Sequence, residues 1–250
     1  MFVERNSNGK RAIVIGATSG IGREVTKKLL SEGWRLGIAG RREKELSELQ
    51  NLAPNQIAFQ TLDVTHTDAP ECLRQLISQT GGMDLFFLAS GIGHQNVALE
   101  SDIEMQIVAT NVEGFTRIAI AAFHYFKEQK HGHIAVISSI AGTKGLGVAP
   151  AYSATKRFQN TYIEALAQLA HIEQVNIHFT DIRPGFVATA LLNDSKNYPL
   201  LMSPERVATH IIRALNRRKR VVVIDIRYAI LVFFWKLIPR WLWVRMRIKN

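Results

Sequence analysis

Short apolar runs alternate with longer amphipathic stretches along most of the chain. The runs are rich in β-branched and aromatic residues and predict seven strands, at residues 12–15, 35–39, 56–61, 84–89, 133–137, 175–180 and 221–226. Between them, apolar residues recur with helical spacing at residues 21–30, 43–52, 73–77, 103–126 and 153–170. Strands separated by such helices cannot be hairpin partners, so the pattern predicts a doubly wound α/β domain with a parallel seven-stranded sheet.

The length and composition of the chain fit one large domain. Of its 250 residues, 47% are hydrophobic and 21% charged, which excludes a disordered or collagen-like chain. We expect a single domain over residues 1–227, followed by a C-terminal extension at residues 228–250. Cys72 is the only cysteine, so an intrachain disulfide and a cysteine zinc site are excluded. The first ten residues lack the apolar core of a secretory signal, and we therefore expect a cytoplasmic protein.

The positive charge is concentrated near the C-terminus. The formal net charge is +10, but residues 216–250 hold ten basic residues against one acid, Asp225, which leaves only +1 for residues 1–215. Tracking along nucleic-acid phosphates needs cations spread over a folded face. The distribution therefore argues against nucleic acid as a partner, and the basic extension needs another explanation.

A glycine-rich segment connects the first predicted strand to the first predicted helix. Its sequence is Gly16-Ala17-Thr18-Ser19-Gly20-Ile21-Gly22. Glycines in such a turn let the backbone approach a pyrophosphate, and the free N–H groups of the helix N-terminus attract the anion. Because the unit of strand, turn and helix is complete, we interpret the turn as a dinucleotide-binding site rather than an empty tight turn.

Two arginines follow the second predicted strand, where an acidic residue would hold a free ribose 2′-hydroxyl. Arg41 and Arg42 can instead grip a 2′-phosphate through bidentate hydrogen bonds, which predicts NADP(H) rather than NAD as the cofactor. The alternative is a pair of solvated arginines at the start of a helix. Asp63, after the third strand, could accept a hydrogen bond from the adenine amino group or act as a turn residue or helix cap.

Tyr152 and Lys156 are four residues apart near the start of a predicted helix, so both side chains lie on one face. An ammonium within about 5 Å of a tyrosine hydroxyl favours the phenolate and can lower the pKa of the tyrosine by roughly one to three units. Tyr152 would then be a proton donor to a carbonyl oxygen. Ser138 and Ser139 follow the fifth strand, at the carboxyl edge where open α/β sheets bind ligands. Ser138 is the weaker candidate because successive side chains on a strand point in opposite directions.

A series of motifs in this order resembles the short-chain dehydrogenase/reductase family. They are the turn at residues 16–22, Asn111-Val112-Glu113-Gly114, the spacing of Ser139, Tyr152 and Lys156, and Pro184-Gly185 with Thr189. The resemblance extends from about residue 10 to residue 226 and implies a Rossmann fold. The sequence departs from the family pattern at Ala89-Ser90-Gly91, where the family often has Asn-Ala-Gly, and at Ile15, where a threonine is usual.

The resemblance also implies a role for each catalytic residue. Tyr152 exchanges a proton with the substrate oxygen, Lys156 lowers the pKa of Tyr152 and binds the nicotinamide ribose, and Ser139 polarises the carbonyl. Asn111 keeps a water in the proton relay by locally opening its helix, and Thr189 contacts the nicotinamide carboxamide. The residues expected to hold the cofactor are Gly16, Thr18, Ser19, Gly20, Ile21, Gly22, Arg41, Arg42, Asp63, Val64, Ser90, Gly91, Tyr152, Lys156, Pro184, Gly185, Val187 and Thr189.

Substrate choice is expected to depend on residues 93–96, residues 143–150 and a lid at residues 186–202. The lid indicates a hydrophobic, lipid-like or steroid-like substrate, although its apolar residues could also simply pack on the body of the protein. His94 is a further candidate contact with the substrate. No grouping of histidine and carboxylate residues resembles a metal site, so we expect no metal. The apolar residues of the lid are Phe186, Val187, Leu191, Leu192, Leu200, Leu201 and Met202.

The C-terminal extension combines aromatic, aliphatic and basic residues. Its uninterrupted apolar run, residues 228–235, is too short for a membrane span of about 20 residues. Trp235, Trp241 and Trp243, interleaved with lysines and arginines, instead fit a segment that lies on a membrane surface. The alternatives are a packed extension and a subunit interface, and the family resemblance implies a homodimer or homotetramer.

Three functions are compatible with these features. The first is an NADPH-dependent oxidoreductase acting on a carbonyl or secondary alcohol of a hydrophobic substrate. The second is an NADP(H)-binding scaffold or redox sensor without turnover, against which the complete set of Asn111, Ser139, Tyr152 and Lys156 argues. The third is a membrane-docked partner protein that acts mainly through its basic extension.

Overall fold

The computed structural model describes residues 9–192 and 198–248. Residues 1–8 of the N-terminal segment, residues 193–197 of the predicted lid and residues 249–250 of the extension lie outside the described residues. Within the described ranges, no helix is both long and apolar enough to cross a membrane.

Seven parallel strands form one sheet, as the sequence pattern predicts. Their order is 3-2-1-4-5-6-7, so the direction of winding reverses between the first and fourth strands. Open α/β sheets bind ligands at the carboxyl ends of the strands beside such a reversal. The strands are β1 (Arg11–Ile15), β2 (Arg35–Gly40), β3 (Ile57–Thr61), β4 (Leu85–Leu88), β5 (His131–Ile137), β6 (Asn176–Arg183) and β7 (Val221–Val223).

Helices cover both faces of the sheet. Phe86 and Phe126 belong to the core cluster on one face, and the next residue of β4, Phe87, belongs with Val25 to the cluster on the other, as the alternation of a strand requires. Two short 3₁₀ helices, at Ile140–Thr143 and Ala190–Leu192, follow β5 and β6. The α-helices are α1 (Gly20–Ser31), α2 (Glu43–Gln50), α3 (Ala69–Thr80), α4 (Ser101–Val108), α5 (Phe115–Gln129), α6 (Pro150–Ile172), α7 (Pro204–Asn216), α8 (Ile226–Leu237) and α9 (Arg240–Trp243).

The single helix predicted over residues 103–126 is interrupted. A π-helical turn, Ala109–Gly114, joins α4 to α5 and contains Asn111. A π turn places an extra residue in the helix and locally opens its hydrogen-bond ladder. The apolar pattern does not reveal the interruption, because the buried face continues from Ile107 to Phe115 on either side.

The last two strands differ in length from the prediction. β6 continues to Arg183 because Asp181, a polar residue that ends the apolar run, is buried with its carboxylate hydrogen-bonded. β7 ends at Val223 because Asp225 turns the chain with a φ of 74°. The carboxylate of Asp225 accepts the N–H of Arg227 and thereby caps α8, which begins at Ile226. The chain therefore leaves the sheet three residues before the predicted end at residue 226.

α7 is a helix that was not among the elements predicted from the apolar pattern. Ser203 accepts the N–H of Arg206 and thereby caps the helix, which begins at Pro204; both residues are typical of a helix N-terminus. Val207, Ile211 and Leu215 lie at helical spacing and are buried, and the helix packs beside α1. The sequence therefore does contain the capping residues and the apolar spacing that predict a helix here.

The C-terminal extension packs on the domain. Tyr228, Val232 and Trp243 are buried against it, with exposed fractions of 1%, 3% and 7%. The predicted boundary at residue 227 lies within the first turn of α8. One face of the extension is therefore packed on the domain, as one of the alternatives predicted. Its other face is exposed.

Candidate active site

The glycine-rich turn leaves β1 at the reversal of the sheet and enters α1. Gly16 has a φ of 89°, and a Cβ there would lie 2.6 Å from the backbone nitrogen of Ser90, so only glycine fits between the ends of β1 and β4. The amides of Gly16 and Ala17 both donate to the carbonyl of Ala39, at 2.8 and 3.1 Å. α1 begins at Gly20 with no acidic residue in its first turn, so its free N–H groups form a site that suits an anion.

Arg41 and Arg42 lie beside this turn, at the carboxyl end of β2. Arg42 Nη2 donates to Thr18 Oγ1 at 2.8 Å, and Arg42 Nε lies 3.5 Å from a carboxylate oxygen of Glu45. Arg41 is more exposed, and its Nη1 lies 3.9 Å from Asp63 Oδ2. Of the two predicted phosphate ligands, Arg42 therefore contacts the glycine-rich turn, and Arg41, the preceding residue, lies near Asp63.

Asp63 is a turn residue, which is one of the two roles predicted for it. Its Oδ1 accepts from the N–H and the hydroxyl of Thr65, at 2.9 and 2.8 Å. Burial opposes ionisation, but these hydrogen bonds and the nearby Arg41 hold the pKa of Asp63 below its usual value. Val64 is buried in the core, and its carbonyl accepts from Arg117 Nη1 at 3.0 Å. The side chain of Val64 is thus a core residue.

The segments after β4 and β6 complete the edge. Gly91 lies beside the catalytic candidates: a Cβ there would be 3.2 Å from Asn111 Oδ1 and 3.4 Å from Lys156 Nζ. Thr189 lies against the glycine-rich turn, since a Cβ at Gly20 would be 3.0 Å from Thr189 Cγ2. Pro184 accepts the N–H of Ile140 through its carbonyl, which ties the two edge segments together.

The start of the lid is held by the C-terminal extension. Val187 is buried and forms an isolated β-bridge with Met202, so these two apolar residues of the lid belong to the core. The ring of Tyr228 lies against Gly185, where a Cβ would come within 2.2 Å of it. The hydroxyl of Tyr228 accepts the N–H of Phe186 at 3.1 Å.

Ser139 and Tyr152 meet between the end of β5 and the start of α6. Ser139 Oγ accepts the N–H of Ala141 at 3.1 Å, and the Ser139 side chain also hydrogen-bonds to Tyr152. The ring of Tyr152 lies against Gly93, where a Cβ would be 2.5 Å from the ring. Burial raises the pKa of Tyr152, and the hydrogen bond with Ser139 opposes this shift only in part. The hydroxyl of Tyr152 is therefore protonated at neutral pH.

Lys156 is a buried cation on the same face of α6. Burial lowers the pKa of Lys156 to about 8, while Asp181 opposes that shift. Its Nζ lies 5.8 Å from the centroid of the Tyr152 ring. The predicted lowering of the Tyr152 pKa is therefore wrong for this geometry, because burial of the hydroxyl determines the direction of its shift.

A chain of hydrogen bonds connects Lys156 to the π turn. Lys156 Nζ donates to the carbonyl of Ile137 at 3.1 Å and to Gln159 Oε1 at 3.0 Å. Gln159 Nε2 donates to the backbone carbonyl of Asn111 at 2.9 Å. The side chain of Asn111 in turn binds the backbone of Ile92, donating to its carbonyl at 2.7 Å and accepting its N–H at 2.9 Å. The local opening expected at Asn111 is present, and a glutamine amide hydrogen-bonds to the opened carbonyl.

Sequence reasoning missed Gln159 and a second buried cluster behind it. Ser138 Oγ donates to Asp181, and Asn160 Nδ2 donates to Ser138 Oγ and to Asp181 Oδ2, at 2.8 and 3.0 Å. Arg183 also binds the carboxylate of Asp181, at 2.6 Å. Gln159 and Asn160 follow Lys156 at the spacings of one helical face, which is the one signal that could have indicated them.

The loops expected to set the substrate lie beside Tyr152. His94 is exposed, whereas Asn96 is buried. The N–H of Asn96 donates to the carbonyl of Val148 at 2.9 Å and thereby joins two of the predicted segments. Among the side chains that the structure describes, no group of His, Cys, Asp or Glu could hold a metal ion.

The fold and the site together define a class of protein: a Rossmann-type domain with serine, tyrosine and lysine at the ligand-binding edge of its sheet. The model of the short chain dehydrogenase family matches residues 10–198. The chain therefore belongs to the short-chain dehydrogenase/reductase family, as its motifs predict. The matched region ends before residue 226, where the resemblance was expected to end.

Known proteins support this assignment at two levels. An uncharacterized oxidoreductase of Myxococcus xanthus is 36% identical over 209 residues, which cover 80% of this chain and 79% of the relative. A short chain dehydrogenase/reductase from Burkholderia phymatum, solved in complex with NAD, is 20% identical with a TM-score of 0.80 and covers 90% of this chain and 92% of that one. ElxO with NADP bound is 21% identical with a TM-score of 0.76 and covers 87% and 97%. These structural likenesses confirm the fold.

Proposed function

We propose that this protein is an NADPH-dependent oxidoreductase that transfers a hydride between nicotinamide and a carbonyl or secondary alcohol carbon of a hydrophobic substrate. The observation that carries the proposal is the meeting of Ser139, Tyr152 and Lys156 at the sheet edge that also holds the glycine-rich turn. When bound there, the cofactor supplies or accepts the hydride. The side chains of this protein handle the proton and the charge.

Tyr152 is the general acid for reduction. Because burial raises the pKa of Tyr152, its hydroxyl carries the proton that the carbonyl oxygen needs as negative charge develops on it. Ser139 Oγ accepts the N–H of Ala141, so its O–H is the group that can donate, to Tyr152 in this structure and to the carbonyl oxygen when a substrate lies between them. Lys156, with a pKa of about 8, is mostly an ammonium at neutral pH and keeps a positive charge on the same face of α6 as Tyr152.

Arg41 and Arg42 support NADPH over NADH. Both lie beside the dinucleotide turn at the end of β2, where the ribose 2′ position is recognised in this fold. Of the two structural neighbours described above, one was solved with NAD and one with NADP. The fold accepts either cofactor, so the choice rests on these two side chains, which suit a phosphate and not a free hydroxyl.

The lid supports an apolar substrate. Leu191, Leu200 and Leu201 are 42%, 37% and 49% exposed, in contrast to the buried Val187 and Met202 of the same segment. Exposed leucines at the edge of a site gain by covering an apolar ligand. This is the chemistry expected for a lipid-like or steroid-like ketone.

Cofactor titration followed by turnover tests the proposal. The full chain is titrated with NADPH and NADH by fluorescence, and nicotinamide absorbance is then followed with a panel of apolar ketones and aldehydes. We expect tighter binding of NADPH and its oxidation by at least one apolar carbonyl class. Binding of NADPH without turnover of any carbonyl would favour the scaffold or redox sensor, and failure to bind either cofactor would overturn the proposal.

A further inference from the structure

The C-terminal helices present an apolar face to solvent. The opposite face of α8 carries Tyr228 and Val232, which are buried. α8 therefore carries large apolar residues on its exposed side as well as on its buried side, which is unusual for a surface helix. Its exposed residues lie at helical spacing and have exposed fractions of 52% to 72%: Ile226, Ile230, Phe233, Phe234 and Leu237.

Basic and aromatic residues continue this face through α9 and the turn after it. Trp241 is 61% exposed, and the guanidinium of Arg245 lies 5.7 Å from the centroid of its ring. Between residues 226 and 248 there are five basic residues and no acid. Within the described ranges, only Arg227 of these five pairs with a carboxylate, that of Asp225. The unpaired ones are Lys236, Arg240, Arg245 and Arg247.

We propose that this surface, formed by the exposed side chains of residues 226–247, docks on an anionic lipid bilayer. Aromatic and aliphatic side chains enter the headgroup region while unpaired cations meet anionic lipids, which is how interfacial helices bind. A second copy of the chain fits this face less well. In a symmetric contact the patch meets itself, so its unpaired cations would face one another without an acid between them.

The same helices hold the segments expected to set the substrate. Trp243 Nε1 donates to the carbonyl of Gly145 at 2.7 Å, and Lys144 Nζ donates to the carbonyl of Ile238 at 2.8 Å. The hydroxyl of Tyr228 donates to the carbonyl of Pro199 at 2.8 Å. Lys144, Gly145 and Pro199 therefore lie directly behind the helices whose outer side contacts the bilayer. On the proposed function, docking brings the enzyme to the membrane in which an apolar ketone dissolves.

Vesicle flotation of the full chain tests the docking surface. We expect the protein to float with vesicles of phosphatidylcholine and phosphatidylglycerol and not with phosphatidylcholine alone. The pair Phe233→Ser and Phe234→Ser, or the pair Lys236→Glu and Arg240→Glu, should each lower the floated fraction at least about tenfold. Ile172→Ser, at a 69% exposed residue that ends α6, is the matched control and should float as the unaltered protein does.

Two results would overturn the docking proposal. One is a lack of flotation with anionic vesicles, or flotation that neither pair of substitutions changes. The other is an oligomer of the unaltered protein that dissociates in the variant of Phe233 and Phe234, because a second copy would then occupy the face. Neither readout requires turnover, so a failure of the proposed function leaves this test interpretable.

A second inference rests on a different observation, the buried amide of Gln159. The side chain is 1% exposed and joins Lys156 Nζ to the carbonyl of Asn111, with its oxygen accepting and its nitrogen donating. We infer that Gln159 is a positioning residue, which fixes the Lys156 ammonium against the π turn. Gln159 thus fills one of the two acceptor positions of the Asn111 carbonyl. Because a carboxamide does not release a proton near neutral pH, this link orients Lys156 and conducts no proton.

Direct titration of Lys156 tests the role of Gln159 without a cofactor. In protein labelled with ¹³C at lysine Cε, the NMR signal of Lys156 is assigned by its loss in Lys156→Met. Gln159→Leu removes the acceptor from a cation that stays buried, so the titration midpoint should fall by about one pH unit. Gln159→Glu places a carboxylate there, and the midpoint should rise. Gln168→Leu, the same substitution at an exposed position of α6, should leave the midpoint unchanged.

Opposite shifts distinguish positioning from a merely structural role. Midpoints that stay unchanged, or that move in the same direction in Gln159→Leu and Gln159→Glu, would overturn the inference. Where the enzyme turns over, the alkaline limb of the reduction rate should move with the NMR midpoint. This last readout rests on the proposed function, whereas the NMR titration does not.

Discussion

Arg41 and Arg42 differ in their hydrogen bonds to the rest of the protein and in their exposure. Arg42 donates one hydrogen bond to Thr18, whereas Arg41 lies 3.9 Å from Asp63 and its side chain is 69% exposed. A guanidinium has five N–H donors, so both residues keep donors for an anion. A hydrogen bond to a charged group contributes about 1.5 to 3 kcal/mol, which is enough for the pair to decide between NADPH and NADH.

Replacing both arginines should therefore change the cofactor preference. We expect Arg41→Ala with Arg42→Ala to raise the Kd for NADPH by about 10- to 100-fold and to leave the Kd for NADH nearly unchanged. Fluorescence titration measures both constants. Arg35→Ala, at an exposed arginine that begins β2, is the control. An equal loss of affinity for the two cofactors would show that the arginines do not contact the 2′-phosphate.

His133 links stability to pH. Its Nε2 lies 2.8 Å from Thr180 Oγ1, which itself donates to the carbonyl of Lys219 and so accepts from His133. Burial, reinforced by His178 and Arg218, lowers the pKa of His133 to about 4. The folded protein thus disfavours the imidazolium, so the stability that neutral His133 contributes is present above the ordinary pKa of about 6.5 and is lost as pH falls toward 4.

Substituting His133 should flatten this pH dependence. Between about pH 7 and about pH 5, His133 should account for about 2 kcal/mol of lost unfolding free energy. His133→Gln is expected to remove that part of the loss in urea unfolding at the two pH values. His94→Gln, at an exposed histidine, should not change the dependence. An unaltered slope in His133→Gln would contradict the assignment.

At the residue scale, the sequence indicates which side chains react but not which ones hold them. The spacing of Ser139, Tyr152 and Lys156 is enough to predict that they meet, and they do. Gln159 contacts a carbonyl in a different helical segment, and such a contact is set by packing that no single-chain spacing encodes. The direction of the Tyr152 pKa shift is likewise set by burial, a tertiary property.

At the element scale, α8 fastens both ends of the lid. The hydroxyl of Tyr228 accepts the N–H of Phe186 and donates to the carbonyl of Pro199, on either side of the residues between them. Its ring fills the space above Gly185. The lid therefore depends on a helix that follows it by more than twenty residues.

Tyr228→Phe should loosen the lid while keeping the ring in place. The N–H of Phe186 loses its partner, so we expect a loss of about 1 to 2 kcal/mol in unfolding free energy and faster proteolysis within residues 186–202. Denaturant unfolding and limited proteolysis measure the two effects. Tyr162→Phe is the control, because no described residue hydrogen-bonds to the hydroxyl of Tyr162. Equal behaviour of the two variants would contradict the role of the Tyr228 hydroxyl.

Most elements followed from the apolar pattern, although α7 was missed despite its one-sided burial. The seven strands and their parallel arrangement are confirmed, because runs such as residues 84–89 are apolar and are separated by helices. The π turn escaped prediction because its buried face keeps the helical period, and β6 was predicted too short because Asp181 is a buried polar residue. Both the π turn, which contains Asn111, and Asp181, which acts on the pKa of Lys156, belong to the candidate active site.

At the scale of the whole molecule, the near-neutral domain and the basic extension are one packed unit. Ending the chain after residue 227 would remove Tyr228, Val232 and Trp243 from buried positions. Each large apolar side chain contributes about 1.5 to 3 kcal/mol on burial, against a total stability of about 5 to 15 kcal/mol. The extension therefore cannot be removed without a cost to the domain.

Truncation should lower the melting temperature. We expect a chain that ends at residue 227 to unfold at a clearly lower temperature than the full chain, or to aggregate, because the lid and the loop at residues 143–150 lose their cover. Thermal unfolding followed by circular dichroism measures the change. An unchanged melting temperature would mean that the extension is an independent appendage.

In the proposed reaction, Tyr152 transfers the proton and NADPH supplies the hydride. Turnover of the best apolar ketone and the Kd for NADPH, measured on the same samples of Tyr152→Phe and of the unaltered protein, test this proton transfer. We expect kcat to fall by about 10²- to 10⁴-fold while the Kd for NADPH changes little, because only the proton donor is removed. Retained turnover in Tyr152→Phe would show that another group supplies the proton.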